Sequence, residues 1–224
     1  MDRIPFEDLQ DADLIVDTVY SAGPQPNLAA DPIGRLLPVG NQGGFRFNGS
    51  LPLPELVVLY STGGVPGWPD HLDQVNGRVT YFGDNRRPGH GLLDTPKGGN
   101  RILRATFDSL NSPEERSSLP VFLYFEAVED TRDAVFRGLL APGAPDLSPE
   151  DSLSFVWRSE NGRRFQNFRS TFTILDAAVI PRVWLSAALS GKAMSGGAPP
   201  AWTHWTFSGE YQALEAPDVN DTPE

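Results

Sequence analysis

Leu153-Ser154-Phe155-Val156-Trp157 and Arg164-Phe165-Gln166-Asn167-Phe168, separated by Glu160-Asn161-Gly162, read as two strands joined by a tight turn. Asn-Gly supplies the left-handed residues that a two-residue hairpin needs, and its twist matches the flanking strands. Directly afterwards, Thr171-Phe172-Thr173-Ile174-Leu175 alternates as a strand. Working outward, further short strands are predicted at Arg78–Phe82, opened by Asn76-Gly77, at Glu55–Tyr60 around the apolar run Leu56–Leu59, and at Pro120–Val128 around Val121–Phe125. The last of these returns through Ala134-Val135-Phe136, and Leu14–Tyr20 reads as one strand near the N-terminus. The best helix spans Arg182–Ser190 and stops at Gly191. Many short strands with few helices predict a mostly-β, α+β fold, a barrel or a sandwich. Residues 1–214 read as a single domain, and 215–224 as an acidic linker or disordered tail.

The chain has 224 residues and a formal net charge of −11. A chain of this size buries roughly 70% of its unfolded surface and needs no disulfide or metal staple. With no Cys it can have no disulfide framework, thiolate zinc site or Cys nucleophile. A mean hydropathy of −0.30 and frequent charges speak against a membrane-spanning helix. The N-terminus, Met1-Asp2-Arg3-Ile4-Pro5-Phe6, has neither the basic nor the apolar region of a signal peptide, so a cytoplasmic location is expected. The acidity sits at the ends: residues 1–33 hold seven acids and one base, and residues 207–224 five acids and no base. The body between them is neutral, and all but two of the 18 bases are Arg. Arg forks suit phosphates and base edges.

Several catalytic patterns are missing. Neither Lys97 nor Lys192 has an acid two residues before it, as the common metal-dependent nuclease motif requires. His71, His90 and His204 show no zinc spacing, and no phosphate loop or Gly-x-Ser-x-Gly elbow is present. No metal or cofactor is expected. Trp157, Trp184, Trp202 and Trp205 lie in periodic or apolar surroundings and read as core, and Asp84 reads as a cap on its own turn.

The unusual composition lies between residues 40 and 104. Gly40-Asn41-Gln42-Gly43-Gly44-Phe45-Arg46 is a glycine loop that lets backbone approach a partner closely, such as a phosphate. Trp68-Pro69-Asp70-His71-Leu72-Asp73 follows a Gly/Pro loop. Residues 77–104 hold six bases against two acids, interleaved with aromatic residues, the mixture of a surface that holds a phosphate backbone and stacks a base. Candidate backbone or groove contacts are Gln42, Arg46, Asn85, Arg86, Arg87, Lys97, Asn100 and Arg101. A weaker basic stretch holds Arg158, Arg163, Arg164 and Arg169 against Glu160.

The glycine string, Tyr81-Phe82-Gly83-Asp84-Asn85-Arg86-Arg87-Pro88-Gly89, and Arg164 through Arg169 followed by Phe172-Thr173-Ile174-Leu175 resemble, in order and spacing, the N-terminal recognition domain of AspBHI-type modification-dependent restriction endonucleases. The resemblance runs from about Ile4 to Trp205. It implies an SRA-like (PUA-like), crescent-shaped β-barrel that flips a modified cytosine, 5-methylcytosine or a relative, out of duplex DNA. It also implies a bacterial restriction system, a C-terminal or separate nuclease domain that does the cutting, and a homo-oligomeric full-length protein. In such readers two aromatic rings sandwich the flipped base and an Asp reads its polar edge. Carried over, the pocket is Trp68, Asp70 and Tyr81, with Asp73 as a rival acid. Flipping costs a few kcal/mol, and stacking returns about 1–3 kcal/mol per base.

Two other functions fit the residues. One is a metal-dependent hydrolase using Asp70, His71 and Asp84; the other is a carbohydrate, small-ligand or protein-interaction module using Trp68, Trp202 and Trp205.

Overall fold

The structure, a computed structural model, describes residues 1–63 and 66–215. Its strands in chain order are β1 (Arg3–Ile4), β2 (Leu14–Ile15), β3 (Val19–Tyr20), β4 (Phe45–Asn48), β5 (Leu56–Ser61), β6 (His71–Asp73), β7 (Arg78–Phe82), β8 (Val121–Ala127), β9 (Ala134–Pro142), β10 (Leu153–Glu160), β11 (Arg163–Ile174) and β12 (Val179–Ile180). The helices are α1 (Pro32–Leu36), α2 (Gly99–Asp108), α3 (Pro113–Ser117), α4 (Pro149–Ser152), α5 (Arg182–Ala188) and α6 (Pro200–Ser208). The mostly-β, α+β class expected from the sequence is what the chain adopts.

The main sheet runs β4-β5-β8-β9-β11-β7-β6, with β10 added to β11 and β3 joining β1 to β9. This order does not return on itself, so the expected closed barrel is instead an open sheet with both faces covered. The apolar runs explain it. Along β8, Val121, Leu123 and Phe125 enter one core, while Phe122 and Tyr124 enter the other. β5 divides in the same way, Leu56 and Val58 against Val57 and Leu59. A strand buried on both faces is apolar without alternation. The first core takes Trp184, Trp202 and Trp205 from α5 and α6; the second takes Ile102, Leu103 and Phe107 from α2.

Local corrections have local causes. The expected strand Leu14–Tyr20 is broken into β2 and β3 because Asp17 is left-handed, at φ 60°, and its carboxylate meets Arg137. The hairpin turn is as expected: Asn161 and Gly162 have φ of 49° and 74°, and Glu160 pairs with Arg163. Trp184, Trp202 and Trp205 are buried, as read from the sequence, but Trp157 is 53% exposed because β10 forms an uncovered edge. The tail expected at 215–224 lies outside the described residues apart from Glu215.

α2 escaped the sequence reading, and its start is unusual. Its N-cap, Gly98, has no side chain to satisfy the first amides. Asp84 does so from the end of β7, against the expectation that it caps its own turn. Its carboxylate accepts from the Gly99 and Asn100 N–H groups at 2.9 Å each and from the Thr95 hydroxyl at 2.8 Å. Asn100 in turn accepts from the Asp84 N–H and donates to the Leu92 carbonyl and to Asn167. Fully buried Asn167 accepts from the Asn85 N–H and donates to the Gly83 carbonyl at 2.9 Å.

Replacing Asn167 by Leu strands the Asn85 amide in the interior, takes one acceptor from Asn100 and leaves the Gly83 carbonyl only the 3.3 Å contact from Arg86. At about 1–3 kcal/mol for each buried unsatisfied group, the variant should lose roughly 3 kcal/mol of stability. The check is urea unfolding, where the midpoint should fall with little change in slope.

Candidate functional site

The glycine loop, the end of β5, the segment before β6 and the loop after β7 converge on a recess of about 250 Å³. Gly43, Gly44, Tyr60, Thr62, Asp70 and Arg86 line it. This is at the low end for ligand sites, a size that suits one small ring better than an extended ligand.

Asp70 is the chemical centre. Its side chain is only 5% exposed. The Phe82 N–H donates to Oδ1 at 2.9 Å, while Oδ2 has only long contacts of 3.4 Å, from the Ser61 hydroxyl and from Arg86. Burial raises the Asp70 carboxyl above its ordinary range; the Phe82 N–H and the Arg86 charge oppose that without overcoming it. A buried carboxylate with one weakly held oxygen is equipped to accept a strong hydrogen bond from an incoming donor.

Tyr60, missed from sequence because it ends an apolar strand, is the ring in the recess lining. The Arg46 guanidinium lies 4.8 Å from its centroid. Arg46 is therefore a correction to the expected surface contacts. It is 5% exposed, donates to Asp31 at 2.8 Å and to the Gly43 carbonyl at 2.9 Å, and braces the loop and the ring from inside.

Tyr81 is fully buried between Phe45 and Tyr124, with centroids at 5.3 and 6.4 Å. Its hydroxyl donates to the Tyr60 carbonyl at 3.0 Å. A Cβ on Gly44 would lie 2.3 Å from that hydroxyl, so the close approach that calls for glycine is to Tyr81. Trp68 is not in the recess lining. It is 6% exposed in a separate cluster with Phe82 and Phe165, under the Arg158 guanidinium at 5.3 Å. The rival Asp73 closes the turn between β6 and β7, accepting from the Val75 and Asn76 amides and from the Asn76 side chain; those bonds hold its carboxyl below the ordinary range.

The remaining candidates divide. Asn85 and Asn100 are buried in the polar network under the loop, so their side chains present nothing to a partner. Gln42, Arg87, Lys97 and Arg101 are exposed, and half-buried Arg86 lines the recess. Lys97 donates to the Gln42 carbonyl and Arg101 to the Leu93 carbonyl, which fixes both cations beside the recess loops. Among the described residues, no three His, Asp or Glu side chains gather as a metal site. The buried Trp202 and Trp205 cannot stack on a carbohydrate.

A family model of restriction endonuclease AspBHI N-terminal domains matches residues 14–217. Among solved structures, the DNA modification-dependent restriction endonuclease AspBHI is 42% identical and superposes with a TM-score of 0.90, over 96% of this chain and 100% of that one. The DNA recognition domain of the cytosine modification-dependent restriction endonuclease LpnPI is 36% identical with a TM-score of 0.90, over 98% of each chain. The MspJI restriction endonuclease in complex with a 27-mer oligonucleotide shares the fold at 19% identity and a TM-score of 0.68, over 94% of this chain and 56% of that one. No functionally curated protein matches the chain.

The raised Asp70 carboxyl gives a pH signature. The folded state binds the proton more tightly than the unfolded chain, so this contribution to stability is full below the ordinary carboxylate range. It is lost as pH rises through the elevated value. Thermal melts of wild type and Asp70→Asn at a series of pH values should show the wild type gaining on the variant with acidification across that window. A constant difference would mean that burial does not govern this group.

Proposed function

The chain belongs to the family of restriction endonuclease AspBHI N-terminal domains, and on that premise we propose that it reads a modified cytosine, 5-methylcytosine or a relative, flipped out of duplex DNA into the recess beside Asp70. The chain is the recognition end of such an enzyme and not its catalytic part. Cleavage would fall to a nuclease domain elsewhere in the full-length protein.

The observation that carries this reading is the buried Asp70 carboxylate with Oδ2 open to a donor. A cytosine turned into the recess offers its N4 amino group there. Tyr60 supplies a ring already in the lining. Tyr81 turns its hydroxyl edge toward Gly44 and packs its ring on Phe45 and Tyr124, so to serve as the second ring it would have to turn out of that packing when the glycine loop withdraws. Trp68, in its own cluster, then stiffens the wall through Phe82 and does not stack on the base. Extrusion removes the base from its neighbours at a cost that two ring faces can offset. Arg87, Lys97 and Arg101, exposed around the same loops, suit phosphates, which position the duplex without reading it.

The test is a competition titration of a duplex holding one 5-methylcytosine against its unmodified twin. Asp70→Ala should lower the preference for modified DNA roughly tenfold or more, in line with about 1–3 kcal/mol for a specific polar contact to a base. Weak binding to the unmodified duplex should persist. Tyr81→Ala should act similarly, and Tyr81→Phe should be mild because stacking needs the ring. If Asp70→Ala keeps the wild-type preference ratio, the base is read elsewhere.

A further inference from the structure

β10 and β11 make a ribbon that the recess does not use. From Arg169 onward β11 pairs with β7, but from Phe168 down to the turn its one strand partner among the described residues is β10, with Gly83 and Asn85 donating to the Phe168 and Gln166 carbonyls at its root. Phe165, Asn167 and Phe168 are still buried against the body, so the tip from Ser159 to Arg164 is what stands clear, reaching roughly 10 Å at about 3.3 Å per residue. Phe155 and Trp157 lie on one face of this ribbon, each 53% exposed. The Arg164 guanidinium stacks on Trp157, 4.8 Å from its centroid. Arg158, Arg163, Arg164 and Arg169 are all exposed, and none is in an ion pair among the described residues, although Glu160 faces Arg163 in register.

We propose that this hairpin is a second DNA-contacting element. It lies in the major groove beside the flipped base, with Arg163 and Arg164 on phosphates and Trp157 against base edges and sugars. The inference rests on the DNA-reading function proposed above and adds an element to it.

Charge selects the partner. The ribbon sets four Arg against one Glu in a chain whose net charge is −11, so a polyanion is the complementary surface. A protein-docking patch is depleted of charge at its centre; here Arg164 lies on the Trp157 ring, and Arg158, Arg163 and Arg169 project from the opposite face of the same strands. The Arg164 guanidinium sits over Trp157 and makes no hydrogen bond among the described residues, so its donors remain for a partner. Shape agrees, because a two-stranded ribbon fits a major groove about 12 Å wide. Position agrees as well. The Asn85 side chain donates to the Gln166 carbonyl at 2.8 Å, which ties the ribbon to the loop that carries Arg86 and Arg87. On the other face, Arg158 covers Trp68 and donates to the Gly67 carbonyl at 3.2 Å, two residues from Trp68's neighbour Pro69.

The test uses this chain with the same two duplexes, read by anisotropy across a salt series. Each phosphate contact contributes nearly one unit to the log–log salt slope, so an Arg163→Ala, Arg164→Ala variant should lose roughly two units. It should bind both duplexes more weakly, by about tenfold or more, and alike, whereas Asp70 variants change the preference ratio. Arg163→Lys with Arg164→Lys should restore the slope. Trp157 is the one well-exposed Trp, the other four being 6% exposed or less, so the indole emission change on adding duplex should vanish in Trp157→Phe. Wild-type affinity and slope in the double Ala variant overturn the ribbon proposal while leaving the recess reading intact; they would assign this face to another protein domain. A wild-type chain that binds neither duplex overturns both.

Discussion

A knot of two buried side chains, Asn100 and Asn167, with half-buried Asp84 governs how the functional surface is held. It starts α2 by supplying amide acceptors that Gly98 cannot, and it fastens the loop after β7 to β11. Buried polar groups are costly unless every donor and acceptor finds a partner. Here the knot fixes one geometry for the loop that carries Arg86 and Arg87, because any slippage would leave amides and carbonyls dry and unpaired. The ribbon depends on the same knot, since Asn167 lies at its root.

A second network of the same kind shapes the recess. Asp31 holds Arg46, Arg46 holds the Gly43 carbonyl and stacks on Tyr60, and Tyr81 reaches the Tyr60 carbonyl from behind. One arginine thereby orients both the loop and the ring. The protein accepts a desolvated Asp70 at the end of this chain of contacts, a stability cost at neutral pH in return for a carboxylate placed in the recess wall. That trade is common where burial tunes a functional group.

Much of the fold was legible because it rests on local signals. The Asn161-Gly162 turn, the doubly buried runs of β5 and β8 and the left-handed Gly191 in the turn after α5 each declare themselves within a few residues. The missed features depend on distant partners. α2 opens with Gly98-Gly99-Asn100, which reads as a turn until Asp84 is brought beneath it. α6 is rich in Trp, Thr and Pro and is held by packing, with Arg116 donating to the Thr206 and Phe207 carbonyls at its end. In the site, Asp70 stood out by its neighbours, but no local pattern separates the buried Arg46 from the exposed Arg87, or a Trp68 packed on Phe82 from one facing solvent. Tyr60 was hidden for a plainer reason: the residue that closes an apolar strand looks like more of the strand.

The pairing of β7 with β11 has a consequence for how the protein comes into being. The Ser170 hydroxyl meets the Tyr81 carbonyl across 89 residues of sequence, and β11 also carries the ribbon. Both the wall beneath Asp70 and the root of its loop therefore wait until β11 has been synthesised. Contacts of such long range close late in folding. A nascent or truncated chain that already bears the glycine loop, Asp70 and every cation of residues 77–104 has the ingredients of a binding surface without its geometry. Competence thus arrives all at once, when β11 has been made and has docked beside β7, and a chain that lacks β11 has none of it.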